Sequence, residues 1–383
     1  MRSGKILPVQ LTDLLTPAVV IDQAKARRNI RAMQAAANVR GLRLRPHAKT
    51  HKSPVVGRWQ LEAGAVGIAC AKLGEAEVFA EAGFTDIRLP YPLNPSNATR
   101  VVALVDRGVR LSFIVDHPAV ARGWSDAMRA ARREVEVLVK VDVGFHRCGI
   151  DPHAAGAADF VVDVARLPGL KLRGLLSHAG QGYHATSDAE LEGVAREEAA
   201  ILRTLAAAVR TRGAAIEEVS VGATPTARFS LQQDGITELR PGNYVYFDRT
   251  QVGLGAATLA DCALTVVATV VTKPAPDRII LDCGSKTLSS DAARGVGHPL
   301  GHGVVFTDLE GTAPDPDLLI ERLSEEHATV KVTSGVTRLE PGDRVRVLPN
   351  HSCVVSNLVD QAWLAEGLAV VGPLPVAARG RIA

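Results

Sequence analysis

The sequence predicts an α/β protein in which a TIM-type (β/α)8 barrel is followed by an all-β domain. Within residues 16–255, short β-type runs alternate with longer helical ones, which is typical of parallel strands joined by helices. Within residues 256–383, β-rich segments are separated by clusters of Gly, Pro and Asp. We therefore expect a barrel, then a β domain, with an N-terminal segment at 1–15 that packs with the β domain.

Nine short segments are candidates for strands in this region, which suits an eight-stranded barrel plus one extra element. They are Ala18–Ile21, Leu42–Lys49, Gly67–Ala71, Asp86–Pro90, Leu111–Asp116, Glu136–Val141, Leu172–His178, Glu217–Val221 and Thr237–Tyr246. Four segments between them have helical spacing and many strong helix formers: Asp22–Asn38, Leu73–Ala82, His117–Arg132 and Asp188–Thr211. Four strands are expected in the β domain: Ala263–Thr272, Arg278–Leu281, Ala328–Thr333 and Arg344–Leu348.

The composition excludes several classes of protein. The 383 residues include 44 Lys and Arg against 41 Asp and Glu, and 46% of them are hydrophobic, so the chain is neither disordered nor strongly charged. This balance gives no electrostatic reason to expect a nucleic acid or a membrane as partner. No early apolar run reaches signal-peptide length, and the five cysteines form no CxxC motif. We expect a cytoplasmic protein with reduced thiols.

The first candidate for chemistry is Lys49 in the run Arg45-Pro46-His47-Ala48-Lys49. In the predicted strand Leu42–Lys49, alternation places Arg45, His47 and Lys49 on one face, with Lys49 at the carboxyl end, where barrel active sites form. An amine with a lowered pKa at this position can attack a carbonyl and form a Schiff base. The alternative is a solvated basic loop.

Four later segments lie at or near the carboxyl ends of predicted strands. Gly222–Thr226 and Arg240–Tyr244 come late in the barrel, where glycine and hydroxyl groups commonly hold a phosphate. Arg147 and His178 each lie in a loop after a β run, and they could contact a planar ring through fixed donors or by stacking. The alternatives are ordinary βα loops, a loop arginine and a core histidine.

A candidate metal pair lies in the β domain, where His351 and Cys353 project from the same face if the segment is a strand. Two ligands are too few for a closed structural zinc site but suit a catalytic metal with open positions. The alternative is a buried cysteine that serves only packing.

In this order, the motifs RPHAKTHK, VDVGFHRCG, SHAGQGY, SVGATPT, RPGNYVYFD and LPNHSC resemble the fold-type III pyridoxal-phosphate enzymes with an alanine-racemase-like barrel. The specific resemblance is to the D-threonine aldolase and D-serine dehydratase family, and it covers essentially the whole chain. It implies a homodimer in which Lys49 carries pyridoxal phosphate as a Schiff base. The other implied cofactor contacts are Arg147 and His178 at the ring, Arg240 at the pyridine nitrogen, and Gly222, Thr224, Thr226, Gly242 and Tyr244 at the phosphate. His47, Gln181 and Tyr183 are candidate substrate contacts.

The resemblance also implies a divalent cation on His351 and Cys353 that acts as a Lewis acid at the substrate's β-hydroxyl. Two reactions are then open: β-elimination, in which Lys49 removes the Cα proton and a 2-oxo acid and ammonia result, and retro-aldol cleavage to glycine and an aldehyde. Family dehydratases carry Cys two residues after the metal-binding His, whereas aldolases typically carry Asp. Cys353 therefore places the dehydratase first and favours zinc over manganese or magnesium. The choice among D-serine, D-threonine and 3-hydroxy-D-aspartate stays open.

Two further alternatives are less favoured by the sequence. Non-catalytic pyridoxal-phosphate carriers of this fold lack the C-terminal β domain. Racemases need a second acid/base, typically a tyrosine of the β domain, and all four tyrosines precede residue 256. The segment Asp291–His327 matches no motif and is a candidate for shaping the substrate pocket.

Overall fold

The computed structural model describes residues 9–295 and 299–383. These residues form two compact units, whose limits differ from the predicted boundaries at 15/16 and 255/256. In the described chain, the β unit contains residues 9–30, 50–55, 243–295 and 299–379, and the barrel unit contains 31–49, 56–242 and 380–383. Residues 1–8 of the predicted N-terminal segment lie outside the described residues.

The strands are numbered in chain order. They are β1 (Ala18–Asp22), β2 (Arg43–Leu44), β3 (Ile68–Ala69), β4 (Asp86–Pro92), β5 (Arg110–Val115), β6 (Val135–Lys140), β7 (Leu170–Leu176), β8 (Glu218–Val221), β9 (Glu238–Leu239), β10 (Leu264–Ala275), β11 (Arg278–Leu281), β12 (Gly303–Phe306), β13 (Leu318–Leu323), β14 (Ala328–Val332), β15 (Arg344–Pro349), β16 (Gln361–Glu366) and β17 (Ala369–Pro375).

The α-helices are numbered in the same way. They are α1 (Gln23–Val39), α2 (Pro54–Glu62), α3 (Leu73–Glu81), α4 (Ala98–Asp106), α5 (Pro118–Ala131), α6 (Ala157–Arg166), α7 (Asp188–Thr211), α8 (Ala227–Ser230), α9 (Arg249–Gly253), α10 (Ser285–Leu288) and α11 (Ser352–Leu358). The longest, α7, begins where Ser187 accepts a hydrogen bond from the Glu190 amide. None of the helices in the described residues combines the length and apolar character needed to cross a bilayer.

The parallel barrel predicted from the sequence is confirmed. Eight parallel strands pair in the order β2-β9-β8-β7-β6-β5-β4-β3. The two ends of this sheet meet at a parallel bridge between His47 and Ala69, where the Ala69 amide donates to Pro46 O at 2.8 Å. Strands β7 and β8 approach so closely at Gly174 that a Cβ there would lie 1.9 Å from Glu218 O, so no other residue fits.

The assignment of Ala18–Ile21 to the barrel is wrong. Strand β1 pairs antiparallel with β10 and parallel with β16, and it occupies the middle of the mixed sheet of the β unit. That sheet runs β13-β14-β11-β10-β1-β16-β17, with β15 beside β10 and β12 beside β15. A buried apolar strand has the same sequence pattern in either sheet, so only its hydrogen-bond partners decide its place.

The chain just before β1 packs on this mixed sheet. Leu11 and Leu14 are buried in one cluster with Val20 and Val267, and the Leu11 amide donates to Leu368 O at 2.8 Å. Arg344 donates to the carbonyls of Leu11 and Leu14.

A network of buried charges lies inside the barrel. The Glu238 carboxylate accepts from Arg88 Nη1 at 2.5 Å and from Arg45 Nε at 2.9 Å, and Arg88 Nη2 donates to Glu218 at 2.7 Å. Arg45 also donates to Asp86. Burial alone would raise the pKa of Glu238, but the two guanidinium groups hold it at about 2. The carboxylate is therefore charged at neutral pH.

Replacing Glu238 by Ala should destabilise the barrel strongly, because Arg88 and Arg45 would remain buried with too little negative charge. We expect the free energy of unfolding to fall by about 3–5 kcal/mol in urea denaturation. Asp159→Ala is the matched control, since it removes an ion pair between the exposed side chains of Asp159 and Arg212 and should change stability by less than about 1 kcal/mol. Equal losses in the two variants would contradict the role assigned to the network.

Candidate active site

Lys49 lies at the barrel mouth in a short 3-10 turn, Ala48–Thr50, and its side chain is exposed. The prediction that it ends a strand is wrong, because β2 stops at Leu44. The turn places the Lys49 amide 3.4 Å from His47 Nδ1. Arg45, predicted on the same face as Lys49, instead belongs to the buried charge network.

His178 follows β7 and is held by the loop after β8. Its Nδ1 lies 2.6 Å from the carbonyl oxygen of Gly222, which can only accept, so Nδ1 carries the proton. Its ring meets that of Phe145 edge to face at 5.8 Å. Burial, with Lys49 and Lys140 nearby, lowers the pKa of His178 well below its usual value. The structure therefore presents a neutral, fixed imidazole.

Arg240 is buried and lies next to Gly222 and to the strand end that carries His178. Its guanidinium donates to Ser220 Oγ and to Ser177 O, each at 2.5 Å. A Cβ on Gly222 would lie 3.0 Å from the backbone of Arg240, so glycine permits the close packing of the two loops. Burial lowers the pKa of Arg240 to about 10 despite the neighbouring Glu238, and the group is still a cation at neutral pH.

Arg147 and Gln181 occupy two adjacent loops. Asp142 accepts from the amides of Gly144 and His146, which forms a compact turn before Arg147. Arg147 is exposed and lies 5.2 Å from the ring of Phe145. Gln181 donates to Val143 O at 2.6 Å, while its Oε1 is buried without a partner among the described residues.

The predicted phosphate loop is buried in the barrel unit. The hydroxyl of Thr226 donates to Ala223 O, and the Thr226 methyl group packs on Gly182. Thr224 is also buried, and Gly242 ends the barrel unit after Pro241, whose carbonyl accepts from the His47 amide. Tyr183 lies in the 3-10 turn Gly180–His184.

Two buried residues near these loops were not found from the sequence. Lys140 ends β6, and burial, together with Arg240, lowers its pKa to about 7. Glu198, on α7, accepts from Ser177 Oγ at 2.5 Å, and its other oxygen has no partner among the described residues. The alternation of β6 could have shown Lys140 as inward-facing. Nothing local distinguishes Glu198 from the other glutamates of α7.

The β unit carries the other candidates, organised by Asp248. Its carboxylate accepts from Asn243 Nδ2 at 2.6 Å, from the Gln251 amide at 3.0 Å and from the Ser352 amide at 2.9 Å. It thereby joins the turn Asn243–Val245, which contains the buried Tyr244, to the start of α11. Asp248 was also missed by the sequence analysis.

His351 and Cys353 lie at the start of a helix, so the prediction that they share one face of a strand is wrong. β15 ends at Pro349, His351 is the N-cap of α11, and Cys353 lies in its first turn. The two side chains still share a hydrogen bond. Turning of the chain into a helix, rather than strand alternation, brings them together.

The surroundings of this pair concentrate negative charge. The Cys353 sulfur lies 3.1 Å from Thr50 Oγ1 and 3.4 Å from Asn243 Nδ2. Burial lowers the pKa of His351, but Cys353, Asp248 and Asp291 together raise it to about 10. Without a metal, the pair therefore shares a proton. A bound cation would displace that proton. Among the described residues, no group of three or more His, Cys, Asp or Glu side chains converges for a metal ion, so the pair fits an open, two-ligand site.

The barrel cluster fits pyridoxal phosphate. Lys49 and Arg147 act electrostatically on His178, as does Lys140 when it is protonated, so positive charge lies near a neutral aromatic ring. Positive charge suits a phosphate ester, the imidazole offers a flat face to a pyridine ring, and Arg240 keeps N–H donors beyond the two it uses.

Comparison with known proteins agrees with this geometry. The family described as the N-terminal domain of alanine racemase matches residues 21–250, and the serine dehydratase domain matches 263–365. The chain is 36% identical to D-threo-3-hydroxyaspartate dehydratase of Delftia sp. (strain HT23), over 93% of this chain and 96% of the relative. It is 34% identical to D-threonine aldolase of Arthrobacter sp., over 95% and 93% of the two chains.

The chain superimposes with a TM-score of 0.89 on a solved structure of D-threo-3-hydroxyaspartate dehydratase. That structure is a cysteine-to-alanine mutant in the metal-free form. The two chains are 33% identical, and the match covers 96% of this chain and 99% of the other.

Replacing Lys140 by Met should change how the stability of the cofactor-free protein depends on pH. The pKa of Lys140 is about 7 in the folded protein and 10.5 ordinarily. Between these values only the unfolded chain binds the proton, so wild-type stability rises with pH there and the rise is lost as pH falls through 7. From about pH 7 to about pH 9, wild type should gain about 1–3 kcal/mol relative to the variant in urea denaturation.

Lys171→Met is the control for this experiment, because Lys171 is an exposed lysine on β7. Its stability should follow that of wild type at every pH. If the unfolding free energy of Lys140→Met changed with pH in parallel with that of wild type, the lowered pKa assigned to Lys140 would be contradicted.

Proposed function

Because the chain belongs to the alanine-racemase-like family of pyridoxal-phosphate lyases that act on D-amino acids, we propose that it is a metal-dependent dehydratase of β-hydroxy D-amino acids. It would convert such a substrate to a 2-oxo acid and ammonia. The observation that carries this choice is the pair His351 and Cys353, with a thiol as the second ligand.

The position of the metal pair supports its role in the reaction. Thr50, whose hydroxyl contacts the Cys353 sulfur, is the residue that follows Lys49 in the chain. Asp248 fixes the backbone of Ser352 between the two ligands. The pair is therefore held in place by residues that do not themselves bind the cation.

The ligand chemistry supports zinc as the bound ion. Thiolate and imidazole favour zinc over manganese and magnesium, which prefer oxygen ligands. The solved cysteine-to-alanine mutant of the related dehydratase is a metal-free form. We take this as support for a cysteine ligand. A cation held by His351 and Cys353 would supply Lewis-acid assistance to departure of the β-hydroxyl.

The barrel residues take the remaining roles. Bound pyridoxal phosphate supplies an electron sink for the substrate's Cα. Lys49 holds the cofactor through Nζ, and the same Nζ takes the Cα proton. His178, fixed by Gly222, supports the ring, and Arg240 donates to the pyridine nitrogen and disfavours its protonation, since a second positive charge there is unfavourable.

The phosphate is held by the loop Gly222–Thr226 with Gly242 and Tyr244, and Arg147 lies at the ring. His47, Gln181 and Tyr183 are proposed substrate contacts; of these, Gln181 has a buried oxygen without a partner in the described residues. The homodimer and the cytoplasmic location stay predictions, as does the choice among D-serine, D-threonine and 3-hydroxy-D-aspartate.

Retro-aldol cleavage is the second candidate, because the D-threonine aldolase of Arthrobacter sp. is nearly as similar to the chain as the dehydratase, at 34% against 36% identity. Both reactions need a cofactor-binding lysine and a metal near the β-hydroxyl. They differ in the bond that breaks, so the products distinguish them.

Replacing Lys49 by Ala should abolish the visible absorbance of lysine-bound pyridoxal phosphate, together with activity toward D-threonine. Alanine has no amino group to hold the cofactor or to take the Cα proton. The absorbance spectrum of the purified protein after loading with the cofactor measures this. Lys171→Ala, which changes an exposed lysine on β7, should keep both signals. Persistence of the band in Lys49→Ala would contradict the assignment.

Wild type incubated with D-threonine and Zn²⁺ should form 2-oxobutyrate and ammonia in excess over glycine and acetaldehyde. Cys353→Asp should shift the ratio toward glycine and acetaldehyde, because a carboxylate gives a harder oxygen ligand. Both product pairs are quantified in the same reaction. Glycine and acetaldehyde as the main wild-type products would establish the aldolase, and an unchanged ratio in Cys353→Asp would show that the ligand does not select the reaction.

A further inference from the structure

Asp291 contacts the proposed metal ligand His351 from a segment that matched no motif. Asp291 Oδ2 lies 2.6 Å from His351 Nδ1, although the two residues are 60 positions apart in the chain. Both side chains are partly exposed, at 49% for Asp291 and 38% for His351. An ion pair of this exposure contributes little to stability, so its position next to a proposed ligand calls for another explanation.

The backbone of Asp291 is fixed by the residue that precedes His351. Asn350 Nδ2 donates to Asp291 O and to Gly301 O, each at 3.0 Å. The Asp291 amide also donates to Ser289 Oγ at 3.1 Å. The carboxylate and the imidazole are therefore held relative to each other by main-chain contacts as well as by their own hydrogen bond.

The hydrogen bond determines which ring nitrogen is available. A carboxylate that faces Nδ1 accepts its proton, which leaves the lone pair of Nε2 for a cation. Histidine ligands of metal ions almost always donate their second ring N–H to a carboxylate, a carbonyl or water. Asp291 Oδ2 contacts the ring nitrogen Nδ1 itself, which is the arrangement of a residue that orients a histidine ligand.

The surrounding charges also favour a cation. A thiolate at Cys353 and the carboxylate of Asp291 would both attract a divalent cation on the His351 and Cys353 side chains, and Asp248 adds a further carboxylate nearby. Thr50 Oγ1 and Asn243 Nδ2 contact the Cys353 sulfur at 3.1 and 3.4 Å. Each of the two ligands thus has its own supporting residues.

We propose that Asp291 is a positioning residue of the metal site, whose carboxylate holds His351 with Nε2 directed to the cation. The inference rests on the proposed function only in that His351 and Cys353 are taken to bind the metal. It assigns a role to the start of the segment 291–327, for which the sequence offered none.

The test is the affinity of the pyridoxal-phosphate-loaded protein for Zn²⁺, measured by competition with a chromogenic chelator. Asp291→Asn and Asp291→Ala should each raise the Kd for Zn²⁺ by about 10- to 100-fold. Asp360→Asn is the control, because it removes a remote carboxylate that pairs with Arg379 at the surface, and its Kd should stay within about twofold of wild type. The urea midpoints of all metal-free proteins should agree, which shows that folding is intact.

A purely structural role for Asp291 would leave the Kd for Zn²⁺ within about twofold of wild type in both Asp291 variants, and this result would overturn the inference. Bound Co²⁺ gives a second readout: its ligand-field spectrum should change in Asp291→Asn, because the imidazole is no longer held at one angle. An identical Co²⁺ spectrum in this variant and wild type would also count against the inference.

Cys353→Ala separates the two hypotheses. If this variant loses Zn²⁺ while the Asp291 variants keep wild-type affinity, only the positioning role fails. If Cys353→Ala binds Zn²⁺ as tightly as wild type, the metal site of the proposed function fails, and the role of Asp291 fails with it.

Discussion

The barrel depends on the carboxylate of Glu238. This group, on β9, accepts hydrogen bonds from Arg88 on β4, from Arg45 after β2 and from Ser220 on β8. Charges removed from water are tolerated only when each is paired and hydrogen-bonded, so these strands must meet in one register. A one-residue slip would turn the charged side chains to the other face of the sheet. The network therefore constrains the register in which these strands can pair.

The same network extends to the active-site loops. Ser220 Oγ donates to Glu238 and accepts from Arg240, whose other Nη reaches the carbonyl of Ser177, next to His178. The guanidinium proposed at the pyridine nitrogen is thus held by hydrogen bonds to buried residues of the barrel. His178 is held by its hydrogen bond to the Gly222 carbonyl. Positioning of the cofactor residues follows from the packing of the barrel interior rather than from the loops alone.

The sequence identified the loops that carry the site but not all of its residues. The structure brings His178, Gly222 and Arg240 into contact, as motifs at the carboxyl ends of successive strands predict. Glu198 and Asp248 were missed, because a single buried polar residue carries no local pattern and its partners lie far away in the chain. Lys140 was also missed, although the alternation of β6 indicates that it faces inward. The pair His351 and Cys353 was found for the wrong geometric reason, since the two side chains meet because His351 is the extended N-cap residue of α11 and not because they alternate along a strand.

The sequence by itself determined the fold class, the order of the candidate functional loops and the type of each proposed metal ligand, because alternation, spacing and side-chain chemistry are local properties. Only the tertiary structure decided that β1 belongs to the mixed sheet, that the barrel closes at His47 and Ala69, and that Asp291 meets His351. The physical reason is that strand edges and buried charges are satisfied by long-range partners. The pairings that form are those that satisfy packing, hydrogen bonding and charge neutralisation at the same time across the whole unit.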